Sequence, residues 1–308
     1  MLNLFMDSRH IKRFFTSPEY EKGPQPSGAS RGNWKNLAET QEDEDAFDYV
    51  KFRNQPKPSG VVGSVAHMVK GALGGGILGG HVAYMKAGVF VGIPFNLIFG
   101  LYMTYCLYIL VQSAQVLYRR TRVTFMTYPD VGEAAMACFP NPNVAKYSKI
   151  FRYTIDAIIC IDLFGACACY QIIIAKSIKQ LVENTQLTHI YGLGPVFCIF
   201  LTIYYAFDLN PTFSNMVGVT KLYNFFEYVG MSVFSMSCSG VVIPIENNMR
   251  EPHKFPQVLM TGMALIIMCT FSVSFFGYVG FLENCESPIT VNFPMTIYYN
   301  IPVALLAK

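Results

Sequence analysis

Lys70-Gly71-Ala72-Leu73-Gly74-Gly75-Gly76-Ile77-Leu78-Gly79-Gly80 lies inside an otherwise apolar run from Val61 to Met85. It holds six glycines in ten residues, Gly71 to Gly80. In an exposed helix interior each glycine costs about 1 kcal/mol relative to alanine, so this stretch interrupts a helix. Inside a membrane the freed N–H and C=O groups find no partner in lipid, so the interruption must be buried in protein or line a cavity. Half-helix ends at such a cavity present N–H groups to anions and carbonyls to cations. The same glycines would equally serve close helix packing through Gly71, Gly74, Gly75 and Gly79, and glycine content alone does not separate the two uses. Gly74-x-Gly76-x-x-Gly79 also spells a dinucleotide pattern, but that pattern needs a preceding strand, and the context is a membrane span.

The rest of the chain supports a membrane setting. Of 308 residues, 52% are hydrophobic and 14% charged, against about 25% charged in soluble domains; mean hydropathy is +0.33. Residues 1–60 hold 9 of the 23 Lys and Arg and 9 of the 20 Asp and Glu. The remaining 248 residues are therefore too charge-poor for a water-facing surface of ordinary size. The net charge of +3 comes with no basic stripe, which argues against nucleic-acid binding. Seven of the nine cysteines, Cys106, Cys160, Cys167, Cys169, Cys198, Cys238 and Cys269, lie in apolar runs, where a thiol behaves as a small hydrophobe. Cys167-Ala-Cys169 lacks the spacing of a metal or redox pair. Met1–Thr16 has no apolar core and does not read as a secretory signal.

A helix needs about 20 residues to cross a bilayer. Uncharged runs cover 32 residues between Lys86 and Arg119, 26 from Gln257 to Leu282 and 18 from Tyr228 to Ile245. With the less uniform stretches, six spans are expected, at about 61–85, 91–117, 152–176, 194–210, 224–245 and 257–282; residues 296–307 look like the start of another. Residues 1–60, with the acidic run Glu42-Asp43-Glu44-Asp45, read as a disordered cytoplasmic tail, and 61–308 as a transmembrane domain. The six basic residues of 118–152 place that loop in the cytoplasm. Arg250, His253 and Lys254 give the loop 246–256 the same preference. Simple alternation through 194–210 puts 246–256 outside, so one span is expected to be missing between Asp208 and Asn224.

Phe234-Ser-Met-Ser-Cys-Ser-Gly240 followed by Val241-Val-Ile-Pro244 marks a second interrupted span. Two interrupted spans in comparable positions point to a transporter binding site. His67-Met-Val-Lys70-Gly-Ala-Leu-Gly-Gly-Gly76, Ile243-Pro-Ile-Glu246-Asn-Asn-Met249-Arg-Glu-Pro252 and Ser287-Pro-Ile-Thr290-Val-Asn292-Phe-Pro294 resemble helix one, the end of helix six and the loop after helix seven of proton-coupled amino acid transporters, in the amino acid/auxin permease superfamily. The resemblance covers about residues 60–300. It implies an all-α membrane protein with a partial LeuT-like bundle, helix five and the helices after eight being absent. It also implies secondary active, proton-coupled transport of small neutral amino acids by alternating access, in a plasma or lysosomal/vacuolar membrane. No cofactor beyond the coupling proton, no metal and no enzymatic chemistry are expected. The alternative is a truncated non-transporting isoform or a binding-only member.

By that resemblance the substrate carboxylate meets backbone N–H groups around Gly71, Ala72, Gly74, Gly75 and Gly76. Its amino group meets carbonyls near Ser235, Met236, Ser237 and Cys238. The chain departs from the family at Met236-Ser237-Cys238, where Phe-Glu-Gly is usual, and at Ala72 and His81. His81 titrates near neutrality in its ordinary form and is a proton-coupling candidate, with a packed or water-facing role as the competing reading. Asp162 is the second candidate, because a charged residue within a span is costly unless it has a use. Asp156 lies nearer the cytoplasmic end of the same span and is expected to snorkel.

Overall fold

The computed structural model describes residues 48–53, 57–73, 75–139, 142–183, 195–208, 218, 222–282, 287 and 289. Among them the architecture is all-helical. The first interrupted span is α1 (Val61–Ala72), a 3₁₀ turn (Gly75–Gly79) and α2 (Gly80–Ala87). The chain then forms α3 (Val89–Thr121), a short α4 (Tyr128–Ala137), α5 (Ser148–Glu183) and α6 (Pro195–Asp208). The second interrupted span is α7 (Leu222–Met236) and α8 (Ser239–Asn247), followed by α9 (Phe255–Phe281).

Val89–Thr121, Ser148–Lys176, Tyr223–Asn247 and Pro252–Phe281 are each long and apolar enough to cross a bilayer. The pair Val61–Ala72 and Gly76–Ala87, bent by 49°, qualifies as one broken span. All six expected segments are thus helical, but α6 has only 14 residues, short of a full crossing. The expected start of a further span at 296–307 lies outside the described residues.

Helix α9 forms the centre, packing against α1, α2, α3 and α6. Small residues let it approach its neighbours closely. A Cβ on Gly262 would lie 2.7 Å from Met68 Sδ, and one on Gly100 of α3 2.5 Å from Ile267 Cδ1. The main apolar cluster joins Met68 and Ala72 of α1 to Leu107, Val242, Leu259 and Met263. Such contacts supply packing where the membrane supplies no hydrophobic driving force between helices. The cysteines divide: Cys238 is buried, whereas Cys106, Cys160, Cys167 and Cys169 lie on outward faces, so the packing role expected for the last four is not what the fold gives them.

Two observations bear on the sequence expectations. The first concerns the end of the 1–60 segment. Residues 1–47 lie outside the described residues, but Tyr49 is 6% exposed, and the Arg53 side chain is buried against Glu246. Ser59 pairs with the far end of α8, its N–H donating to Asn248 O at 2.8 Å and its carbonyl accepting from Arg250 N at 3.0 Å. The end of the tail is part of the packed bundle.

The second is the course of the chain through 194–210. Ala206 of α6 lies against Gly280, and the Phe207 ring lies tilted 5.9 Å from that of Phe276, both near the C-terminal end of α9. Ile199 packs deeper, against the Ile77–Val273 cluster. Helix α6 therefore runs parallel to α9, not antiparallel to it. The loop 246–256 lies at the same end as Ser59 and Thr124, because Arg53 Nε donates to Thr124 O at 2.6 Å and Gln115 Nε2 to Pro252 O at 3.3 Å. The basic loops thus share one face, and the charge conflict disappears. The unaccounted reversal falls before α6, within 184–194 and outside the described residues, instead of after it.

Candidate functional site

The glycine run does what its composition requires. Helix α1 ends at Ala72, and Leu73 N closes its last turn on Val69 O at 2.8 Å. A turn of 3₁₀ geometry follows before α2 begins. The second interruption is tighter than the eleven-residue stretch expected. Only Ser237 and Cys238 are non-helical, and Pro244 lies inside α8.

The two interruptions meet. A Cβ on Gly76 would lie 2.7 Å from Ser235 Cα and 3.0 Å from Ser235 N. One on Gly71 would lie 3.1 Å from Val241 Cγ2. Glycine at 76 is thus required by close approach to backbone, which side-chain rearrangement cannot relieve. The first break rests on the end of α7, and the helix before it rests on α8. Two C-terminal half-helix ends (α1, α7) and two N-terminal ends (α2, α8) converge, with carbonyls and N–H groups left over from the helical ladders. Their dipoles oppose a zwitterion's charges with the correct signs: N–H groups for a carboxylate, carbonyls for an ammonium.

The named residues divide by position. Ala72, Met236 and Cys238 are buried and belong to the apolar cluster. The Ser235 hydroxyl donates to Ser232 O at 2.9 Å within its own helix, and the Cys238 thiol faces Met263 Sδ at 3.7 Å. Gly71 and Ser237 are exposed, so they mark the open side of the junction. Gly75 and Gly76 lie in the turn; Gly74 lies outside the described residues. Helix α5 also reaches this turn.

His81 is fully buried on α2. It packs on α9, where a Cβ on Gly277 would lie 2.7 Å from His81 Cβ. Asp162 is exposed, on a span in which no residue is fully buried among the described residues. The structure therefore does not join the two proton-coupling candidates. Asp156 pairs at 3.9 Å with Arg152, which also binds buried Asp130 and Glu133 at 3.1 Å each and ties α4 to α5. Among the described residues no group of three His, Cys, Asp or Glu side chains is placed to hold a metal ion.

The sequence reading missed Arg53 and Glu246, a buried ion pair at 3.1 Å. Its signal was the run Asp48-Tyr49-Val50-Lys51-Phe52-Arg53, aromatic and basic residues alternating immediately before the first span.

The pattern of the family described as transmembrane amino acid transporter protein matches residues 57–219 and 196–307. The chain belongs to this family. It is 29% identical over 289 residues to the proton-coupled amino acid transporter-like protein pathetic of Drosophila melanogaster, covering 81% of this chain and 60% of that protein. It is 20% identical over 284 residues to vacuolar amino acid transporter 4 of Saccharomyces cerevisiae, covering 77% and 37%. The chain thus spans less than two thirds of the length of either relative. No solved structure matches it. This family member is a multi-pass integral membrane protein, and the relatives it matches are transporters, not enzymes.

Proposed function

We propose that this chain carries the substrate site of a secondary active transporter that moves small neutral amino acids together with protons by alternating access. The observation that carries the reading is the junction of the two breaks, with Gly76 against the Ser235 backbone. The substrate carboxylate lies against N–H groups of the Gly75–Gly79 turn, and its ammonium against carbonyls around Met236 and Ser237. No ionised side chain stands among the residues named at the junction, so backbone dipoles carry the recognition and a zwitterion is the matching charge type. The resemblance to proton-coupled amino acid transporters supports a small side chain on that zwitterion. His81 and Asp162 are the proton-carrying candidates. The relative named as proton-coupled supports the coupling ion.

A second reading, a binding-only or non-transporting member, is favoured by one observation: among the described residues no residue of the α5 span is fully buried. Uptake of labelled alanine, glycine and proline into proteoliposomes containing the 308-residue chain decides between them. The transport reading expects uptake above empty vesicles that rises with an inward proton gradient. Correct insertion with no uptake overturns it in favour of the second.

A further inference from the structure

Helix α3 carries an outward face that does not suit lipid. Its buried side, with Asn96, Gly100, Thr104, Leu107 and Val111, packs into the bundle. On the opposite side Tyr102 and Tyr105 are each 61% exposed, and Tyr108 at its edge is 41% exposed. The uncharged stretch between Lys86 and Arg119 has its midpoint beside Tyr102, and Tyr105 lies about 4 Å from it at 1.5 Å per residue. Both phenols therefore stand near mid-depth in a hydrocarbon core roughly 30 Å thick. Tyrosine favours the membrane–water interfaces, where its hydroxyl finds water or headgroups. The exposed tyrosines Tyr153, Tyr170 and Tyr223 follow that rule and lie toward the ends of their spans.

A hydroxyl in hydrocarbon is costly without a hydrogen-bond partner. Thr104 finds one in its own helix, its hydroxyl donating to Gly100 O at 2.7 Å. A phenol cannot do this, because the rigid ring carries its oxygen away from the backbone. Tyr102 meets Cys106 one turn on, but a thiol is a weak partner. Among the described residues Tyr105 and Tyr108 make no hydrogen bond, and acyl tails offer none. A second copy of this chain does. Two copies inserted in the same orientation pair about an axis along the membrane normal, so each residue meets its own equivalent at equal depth. A phenol both donates and accepts, so it complements another phenol. The stretch from Lys86 to Arg119 has no charge between its ends to repel its own copy.

We propose that this face of α3 is a homodimer interface, in which Tyr102 and Tyr105 hydrogen-bond and pack against their equivalents in a second copy within the bilayer. Ring-on-ring contact adds to the hydrogen bonds. Ile98 and Ile109, 54% and 44% exposed, continue the same stripe a turn to either side. On its other side α3 packs against α7, α8 and α9, so it stands between the interface and the broken spans. Each copy keeps its own junction, and the pairing does not depend on the proposed transport.

Cys106, exposed beside the two tyrosines, is a built-in reporter. The 308-residue chain is placed in liposomes over a range of densities. Pairing is measured by single-molecule photobleaching of dye-tagged copies, and cysteines of adjoining copies are joined by oxidation with copper phenanthroline. The chain is expected to pair and to join through Cys106. Cys106→Ser should abolish the covalent dimer, and replacing Cys160, Cys167 and Cys169 by serine should leave it. Tyr102→Phe with Tyr105→Phe removes only two hydroxyls from an outward face and should weaken pairing by about tenfold or more. Tyr153→Phe, which removes an exposed hydroxyl near a span end, should not. A chain that is monomeric at every density overturns the interface. So does a dimer joined only through the α5 cysteines, or one that survives the double substitution. Equal weakening by Tyr153→Phe also overturns it, by assigning the effect to lipid.

Discussion

Single glycines in this chain differ sharply in what they do. Gly76 faces the Ser235 backbone, so Gly76→Ala forces two half-helices apart. Overpacking of this kind costs about 1–3 kcal/mol, and the displacement falls where the substrate is proposed to bind. Gly240, in the first turn of α8, meets nothing within 4 Å of an added Cβ. Gly240→Ala is expected to be neutral or to stabilise by up to about 1 kcal/mol through helix propensity. Thermal unfolding of the two variants in detergent, with uptake measured beside it, checks both statements. Equal behaviour would mean that the junction of the breaks is not a special place. The existence of the breaks was legible, because six glycines within Gly71–Gly80 leave a helix little choice. Which glycines touch the other break was not, because that depends on how two spans 160 residues apart in sequence are brought together. Arg53 was hidden for a related reason: in sequence it belongs to a polar tail, and only Glu246, Tyr118 and Thr124 from three other parts of the chain bury it.

At the scale of elements, hydropathy located the helices well and their directions less well. Alternating spans leaves 246–256 on the wrong side, against its own charge, because alternation assumes that each apolar stretch reverses the last. Helix α6 does not reverse α9 but runs beside it in parallel, as Ala206 against Gly280 and Ile199 against the Ile77–Val273 cluster together indicate. Both α5 and α6 then run away from the end that carries Arg53, and the 11 residues 184–194 between them fall short of the roughly 20 that a helical return needs. The expected sidedness follows. Single cysteines introduced at 210–216 should label from the side opposite the N-terminal segment, and those at 250–253 from the same side. Simple alternation predicts the reverse for both loops, so one labelling experiment with an impermeant reagent in sealed vesicles separates the two topologies.

Across the described residues as a whole the least balanced feature is α5. None of its Ser148–Lys176 span is fully buried among them, and Asp162 stands at the midpoint of that span, about 20 Å from either end at 1.5 Å per residue. A carboxylate facing lipid at that depth opposes insertion by about 2.5–3.5 kcal/mol on insertion scales, with no compensating ion pair among the described residues. Asp162→Leu should therefore make the chain more resistant to unfolding in bilayer-like bicelles, by up to about 3 kcal/mol. If Asp162 carries the coupling proton, the same substitution should abolish the dependence of uptake on the proton gradient. Stability rising while coupling falls is the combination expected of an intramembrane charge kept for function. A loss of both assigns Asp162 to structure, through a partner that covers this face. Unchanged stability would place the carboxylate in water, on the wall of a cavity that α5 shares with the junction of the breaks.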